Sequence, residues 1–307
     1  MTSTSASITS YTAVGFIGLG VMGRPMAGHI LEGLSGLGAG STLTLHDLGP
    51  ERVQHLLDAG ARWAATPAEL ARAAGVVMVM VPDLPQIDAL LDGPDGLLAG
   101  VVAPTVLVVS STVSPDGVRR LAERCAAASG GLLRVVDAPV SGGEVGARAG
   151  RLSIMVGGSD ADVAAVLPVL ALTGTPVHLG PIGAGQVSKA CNQLICAASL
   201  AAIAEASVVA ERAGLDVGRL LELLQGGYAG SNILADKGPR YAAKNYDVSG
   251  AAKFWIKDLR AYLDEAERTG TTTVQGDRLL DVFTRLTDRG WGDLDTAVVQ
   301  RQIAEPE

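Results

Sequence analysis

Hydrophobic positions over the first 180 residues follow two patterns in turn. Short continuous apolar runs predict strands at Ala13–Gly18, Thr42–Asp47, Val76–Val81, Thr105–Ser110, Leu133–Val136, Ile154–Val156 and Pro176–Leu179. Between them, apolar residues at helical spacing predict helices over Val21–Leu31, Pro50–Ala59, Ser114–Ala128 and Asp160–Leu170. Thr66-Pro67-Ala68-Glu69 is a capping box with proline at the first helical position, and it opens a further short helix. Strands alternating with helices predict an α/β fold with a doubly wound, mostly parallel sheet. Runs without polar interruption suit strands buried on both faces.

The pattern changes near Gly180–Gly185, and no strand-like run follows. One long helix is predicted from Gly185 to about Ala213, then helices near Val217–Leu224, Ser231–Ala243, Lys253–Thr269, Gln275–Arg289 and Leu294–Gln300. The chain therefore divides into an α/β domain over 12–181 and an all-helical domain over 182–307, joined by the long interdomain helix.

Composition narrows the function classes. A chain of 307 residues suits two domains, and a formal net charge of −8 opposes a nucleic-acid partner, which needs a basic face. The three cysteines, Cys125, Cys191 and Cys196, cannot all pair and form no CxxC motif, so they read as buried thiols in an intracellular protein. Met1 to Tyr11 has neither a basic residue nor an apolar run, so it does not read as a signal peptide, and a cytoplasmic location is expected. Leu194 to Ala210 is the most membrane-like stretch, but it is largely Ala and contains Ser199, Glu205 and Ser207. It reads as a helix buried at the domain junction and in a subunit contact, with no membrane partner and a homodimer or higher homo-oligomer.

Gly18-Leu19-Gly20-Val21-Met22-Gly23 is a G-x-G-x-x-G string placed after the first strand and at the opening of a helix. In that context Gly18 makes the tight turn, Gly20 lets the backbone approach a pyrophosphate and Gly23 lets helix pack on strand. The helix N-terminus then offers N–H groups and partial positive charge to the phosphates. The α/β domain thus reads as a Rossmann-type dinucleotide-binding domain. Asp47 ends the second strand, where a carboxylate bonds ribose hydroxyls and repels a 2′-phosphate; it could also be the N-cap of the next helix. NAD is favoured over NADP, with Arg52 close enough in sequence to keep NADP open.

None of the four histidines, His29, His46, His55 and His178, has a metal-ligand spacing or a neighbouring nucleophile, so no metal is expected. A hydride-transfer enzyme still needs an acid/base for the substrate oxygen. Gln186, Lys189, Asn192 and Gln193 form one polar stripe on the otherwise apolar long helix, either solvated or functional. Burial and the nearby helix N-terminus would both lower the Lys189 pKa towards a usable value. Asp137-Ala138-Pro139-Val140-Ser141-Gly142-Gly143 follows a strand at the carboxyl edge of the sheet. The Ser141 hydroxyl and the N–H groups of Gly142 and Gly143 can hold a carboxylate; the alternative is a plain turn.

In order along the chain, these segments resemble the β-hydroxyacid dehydrogenase family, which includes 3-hydroxyisobutyrate dehydrogenase and tartronate semialdehyde reductase. Gly15 to Ala27 looks like its cofactor signature and Asp137 to Gly143 like its substrate loop. Gly150 to Gly158 looks like the strand after that loop, Gly183 to Asn192 like its catalytic segment and Lys257-Asp258-Leu259 like its Lys-Asp-Leu string. The resemblance implies an NAD(P)-dependent oxidoreductase acting on a small carboxylate-bearing 3-hydroxy acid, with Lys189 as the catalytic lysine. It further implies that Val81, Pro82, Gln86, Thr112 and Lys257 line the cofactor cleft and that Asn192 and Lys257 reach the substrate. It also implies that the long helix carries much of a dimer contact. Two departures bear on the substrate side: Gln193 stands where many members have a second Asn, and Gly250 to Ile256 lacks the usual Phe-led pattern. Imine reductases resemble the N-terminal part but generally lack the lysine, and a non-catalytic dinucleotide-binding module is a third reading; Lys189 argues against both.

Overall fold

A computed structural model describes residues 12–305, so the Met1–Tyr11 stretch read for a targeting signal lies outside the described residues. The chain forms two compact units, Met1–Lys189 and Ala190–Glu307.

Among the described residues the first unit is built on nine strands: β1 (Ala13–Ile17), β2 (Thr42–His46), β3 (Arg62–Trp63), β4 (Val76–Val79), β5 (Thr105–Val109), β6 (Leu133–Asp137), β7 (Val140–Ser141), β8 (Leu152–Gly157) and β9 (Gly174–Gly180). Their order is β3-β2-β1-β4-β5-β6-β8-β7, with β9 paired to β8. All pairs from β3 to β6 are parallel, whereas β8 runs antiparallel to β6 and β7. Its helices are α1 (Gly23–Leu37), α2 (Gln54–Asp58), α3 (Pro67–Ala73), α4 (Leu84–Leu91), α5 (Leu97–Gly100), α6 (Pro115–Ala128), α7 (Gly143–Arg148) and α8 (Asp160–Leu170). The unbroken apolar runs serve two cores. Val76, Met78, Val106 and Val108 face one cluster, with Phe16 and Ile30. Val77, Val79, Leu107 and Val109 face the other, with Leu70 and Val118. This is a sheet covered by helices on both sides, the Rossmann-like α/β architecture expected.

Local signals hold where they are chemical. Thr66 Oγ1 accepts from the Glu69 N–H at 3.1 Å and caps α3; the Glu69 carboxylate reaches back to the Ala65 N–H at 2.8 Å, one residue earlier than the usual box. Ser114 caps α6 in the same way. Short elements escaped the pattern: β3, β7, α4, α5 and α7 have too few residues for a period to show. Residues 50–58 are a tighter 3₁₀ turn followed by one short α-helix rather than a single helix.

α9 (Ala184–Arg212) spans 29 residues, starting in the first unit and continuing into the second. It is followed by α10 (Val217–Gln225), α11 (Asn232–Ala243), α12 (Phe254–Thr269), α13 (Gly276–Leu286) and α14 (Val299–Ala304). After α13 the chain continues as a wider turn through Thr287–Trp291, with Gly290 at φ 79°, so the helix expected to run to Arg289 stops earlier. A 3₁₀ turn, Thr296–Val298, precedes α14 in place of one helix from Leu294. Ala197, Leu200, Ala204 and Val208 of α9 pack into the second unit, the first three in a core with Tyr241, Leu259 and Phe283. α9 is also long and apolar enough to span a bilayer by length and composition. Its opposite stripe, Cys191, Ile195, Ala202, Ala206 and Val209, is exposed in the single chain. Cys191 therefore departs from the expectation of buried thiols; Cys125 conforms, its thiol pushed up to about 12 by burial.

Asp295, fully buried, holds the loop that leads into α12. It accepts from Lys237 Nζ, Ser249 Oγ and the Ala297 N–H at 3.1, 2.6 and 3.0 Å. Burial opposes its ionisation, but these donors outweigh burial and leave the carboxyl below its ordinary range.

Candidate active site

The strand order reverses between β1 and β4, whose neighbours run outward in opposite directions. Sheets of this kind bind ligands at the carboxyl ends of the strands flanking that point. Gly18 to Gly23 leaves β1 there. Gly18 has φ 91°, and an added Cβ would lie 2.3 Å from the Met80 carbonyl oxygen. A Cβ on Gly23 would lie 1.9 Å from the Gly18 oxygen, so neither site admits a side chain. At Gly20 nothing comes within 4 Å, which leaves the turn open on the side where a diphosphate would sit. α1 has no side-chain cap and no acidic residue in its first turn. Its N-terminus therefore keeps the donors and partial positive charge that an anion needs.

Asp47, just past β2, accepts from the Leu19 N–H at 2.5 Å and the Leu48 N–H at 2.6 Å. It ties the glycine turn to the neighbouring strand end and does not cap the following turn, whose N-cap is Gly49. Each carboxylate oxygen keeps a second lone pair for a ribose hydroxyl. On the β4 side, Val81 is half-buried while Pro82 and Gln86 are exposed, Gln86 on α4. The Val81 N–H donates to Ser111 Oγ at 2.9 Å, joining this rim to the β5–α6 loop that carries half-buried Thr112. The residues present fit a dinucleotide.

The start of α9 is fastened to the same sheet edge. Asp137, at the end of β6 and 0% exposed, accepts from the Gly183 and Gln186 N–H groups, both at 2.7 Å. Burial pushes its carboxyl up to about 6; the two N–H donors and the Arg119 charge pull the other way. Gln186 donates to the Ser111 carbonyl at 2.8 Å and accepts from the Val113 N–H at 3.0 Å, bracketing Thr112. The expected polar stripe is therefore not uniform: Gln186 is a buried staple, neither solvated nor facing a ligand. Lys189 follows one turn later and is 8% exposed.

Ser141 ends β7 and is half-buried; Gly142 and Gly143 are exposed, at φ 130° and 60°. Those left-handed values, open to Gly, turn the chain from β7 into α7. In the second unit, Asn192 and Gln193 are half-buried on α9. Asn192 Nδ2 donates to Gln193 Oε1 at 2.9 Å, and Gln193 Nε2 donates to Asp258 Oδ2 at 2.6 Å. Lys257 Nζ lies 3.1 Å from Asp258 Oδ1. Asp137, Gln186 and Asp258 are buried polar residues that sequence reasoning did not separate from their motifs; only their contacts mark them. His29, His46 and His178 are bonded to backbone carbonyls, as ordinary packed histidines. Among the described residues no group of three His, Cys, Asp or Glu could hold a metal.

A glycine turn at the switch point, a carboxylate at the next strand end and a following helical unit define the class of Rossmann-type NAD(P)-binding oxidoreductases. Residues 13–183 match the NAD binding domain of 6-phosphogluconate dehydrogenase, and residues 183–302 match the NAD-binding domain of NADP-dependent 3-hydroxyisobutyrate dehydrogenase. The chain is 35% identical to 2-hydroxy-3-oxopropionate reductase of Escherichia coli, over 94% of this chain and 96% of that one. It is 36% identical to 3-hydroxyisobutyrate dehydrogenase of Pseudomonas aeruginosa, over 89% and 91%. The crystal structure of 3-hydroxyisobutyrate dehydrogenase from Salmonella typhimurium superimposes with a TM-score of 0.83 at 28% identity, covering 94% of this chain and 99% of that one. The chain belongs to the β-hydroxyacid dehydrogenase family of NAD(P)-dependent oxidoreductases.

Proposed function

We propose that the protein interconverts a small 3-hydroxy acid and its semialdehyde, with NAD as the favoured cofactor and NADP the lesser one, and with Lys189 as acid/base. The observation that carries this reading is the double staple of α9. Asp137 and Gln186 fasten its first turns to the carboxyl ends of β5 and β6, on either side of Thr112. Lys189 follows Gln186 by one helical turn and is nearly buried, which supports reading it as held near the ligand-binding edge.

The bound nicotinamide supplies a hydride acceptor in one direction and a donor in the other. Gly18 to Gly23 and the α1 N-terminus receive the diphosphate, Asp47 the adenosine ribose, and Val81, Pro82, Gln86, Thr112 and Lys257 the remaining cofactor surface. Ser141, Gly142 and Gly143 hold the substrate carboxylate, with Lys257 as a further cation. Asn192 positions the reacting hydroxyl. Lys189 Nζ takes the hydroxyl proton during oxidation and returns it to the forming alkoxide during reduction.

The domains divide at 181/182 in this reading, and the protein is a cytoplasmic homodimer or higher homo-oligomer. The exposed apolar stripe of α9, centred on Ile195 and Val209, is the surface that pairing would cover. Turnover of a panel of small 3-hydroxy acids, semialdehydes and cyclic imines with NAD(H) and NADP(H) tests the activity. Turnover confined to cyclic imines would reject it.

Asp47 sets the cofactor prediction. NADH is expected to bind more tightly than NADPH, because a 2′-phosphate would meet the carboxylate. Asp47→Ser is expected to narrow the gap by about tenfold, the scale of one charge–charge contact largely screened by water. It should also weaken NADH, since the bond to the Leu19 N–H is lost. Fluorescence titration measures both; tighter NADPH binding by the parent would overturn the assignment.

A further inference from the structure

We propose that Ser111 and Gln186 are positioning residues that lock Val81 and Thr112 of the cofactor rim, and the turn of α9 leading to Lys189, into one frame. The inference rests on the reading of Lys189 as acid/base and of that rim as the seat of the cofactor.

A single carboxamide fixes Thr112. The Ser111 carbonyl belongs to the peptide group before Thr112, and the Val113 N–H to the one after it. Gln186 Nε2 donates to the first at 2.8 Å, and Gln186 Oε1 accepts from the second at 3.0 Å. A carbonyl only accepts and an N–H only donates, so the amide fits one way round. Each peptide group is planar, so pinning both holds Thr112 in φ and in ψ. Gln186 is 1% exposed, which shields these bonds from competing water.

Ser111 extends the frame to β4. Its buried hydroxyl accepts from the Val81 N–H at 2.9 Å, while its carbonyl is the one that Gln186 holds. On the other side, Asp137 accepts from the Gln186 backbone N–H at 2.7 Å. The ends of β4, β5 and β6, consecutive in the sheet, are thereby linked through Ser111 and Gln186, all within the first unit. Lys189 lies three residues further on, a rise of about 4.5 Å along α9.

The chemical consequence concerns timing. A hydride crosses at the rim and a proton at Lys189, and both geometries must hold in one transition state. A misplacement of about 1 Å can cost on the order of 10²-fold in rate. Loss of either support therefore slows the chemical step, while the glycine turn keeps its hold on the cofactor.

The test is steady-state oxidation by NAD of 3-hydroxyisobutyrate, or of whichever 3-hydroxy acid of the panel the parent oxidises faster. The substrate is used unlabelled and deuterated at the carbon bearing the reacting hydroxyl. The proteins are the parent, Ser111→Ala, Gln186→Met, Gln186→Glu and Lys189→Ala. Ser111→Ala and Gln186→Met are expected to lower kcat roughly 10–100-fold and to move KM for NAD less than about threefold. The isotope effect on kcat should stay at or above its parental value, because hydride transfer is the slowed step. Gln186→Glu has a pH signature and serves if Gln186→Met does not fold. The neutral acid can donate to the Ser111 carbonyl and accept from the Val113 N–H, as the amide does, whereas the carboxylate can only accept. Its kcat relative to the parent is expected to rise as pH falls. A smaller isotope effect in the variants, or a ratio for Gln186→Glu that is flat with pH, overturns the proposal. If the parent oxidises no 3-hydroxy acid, or Lys189→Ala keeps parental turnover, the underlying reading fails. If Lys189→Ala is costly while Ser111→Ala and Gln186→Met are silent, only the positioning proposal fails.

Discussion

Lys189→Ala is expected to lower turnover by roughly 10²–10⁴, the usual worth of a positioned acid/base group, while leaving NADH affinity nearly unchanged. The two effects separate because the lysine is on α9 and the phosphate turn is at the start of α1. Lys189→Arg is not expected to restore activity. A guanidinium stays protonated near neutral pH and cannot accept the hydroxyl proton, although it keeps the positive charge. This distinguishes proton transfer from simple charge stabilisation, which Arg would rescue. Steady-state turnover beside NADH fluorescence titration measures both quantities. Near-parental turnover of Lys189→Ala would remove the lysine from the mechanism without touching the family assignment.

The second large effect is expected at Asp137, and it is one of stability. Asp137→Ala leaves the buried N–H groups of Gly183 and Gln186 without their acceptor. Each such orphan costs about 1–3 kcal/mol, so the loss on urea denaturation should be about 2–6 kcal/mol. Asp137→Asn separates charge from shape. The parent carboxyl titrates near 6 in the folded chain against an ordinary value of 3.8. In that interval the folded state binds more protons than the unfolded state. The contribution of this group is therefore fully present below about pH 4 and is lost as pH rises through 6. The stability of the parent relative to Asp137→Asn is expected to fall over that window by an amount on the order of 3 kcal/mol. A difference that is flat with pH, or that rises, would show that Asp137 is not held as described.

These two residues also show how far the chain could be read unaided. Asp137 was visible only as the first letter of a substrate loop; its burial beneath the α9 N-terminus depends on packing that brings together residues 46 and 49 positions apart. Gln186 was legible as polar and on a helix, yet its role as a staple needed the Ser111 and Val113 backbone to be known. Gln193 and Asp258 stand 65 positions apart, and no spacing rule connects them. The Arg62–Trp63 and Val140–Ser141 strands are two residues each, too short for alternation to register. Cys191 was assigned to the interior by residue type, but α9 turns it to the open face.

What the sequence determined by itself is the set of features governed by nearest neighbours along the chain. Apolar runs that cannot leave either face in water had to become interior strands. Thr66 and Ser114 had to start helices, because their hydroxyls satisfy N–H groups two to three residues on. A glycine string between a strand and a helix could serve a dinucleotide, and the helical unit followed from apolar spacing. The tertiary structure alone decided which polar residues are supports and which are available for chemistry. That choice depends on desolvation and on hydrogen-bond partners brought from distant segments, and an Asp, a Gln and a Lys have no local signature of either.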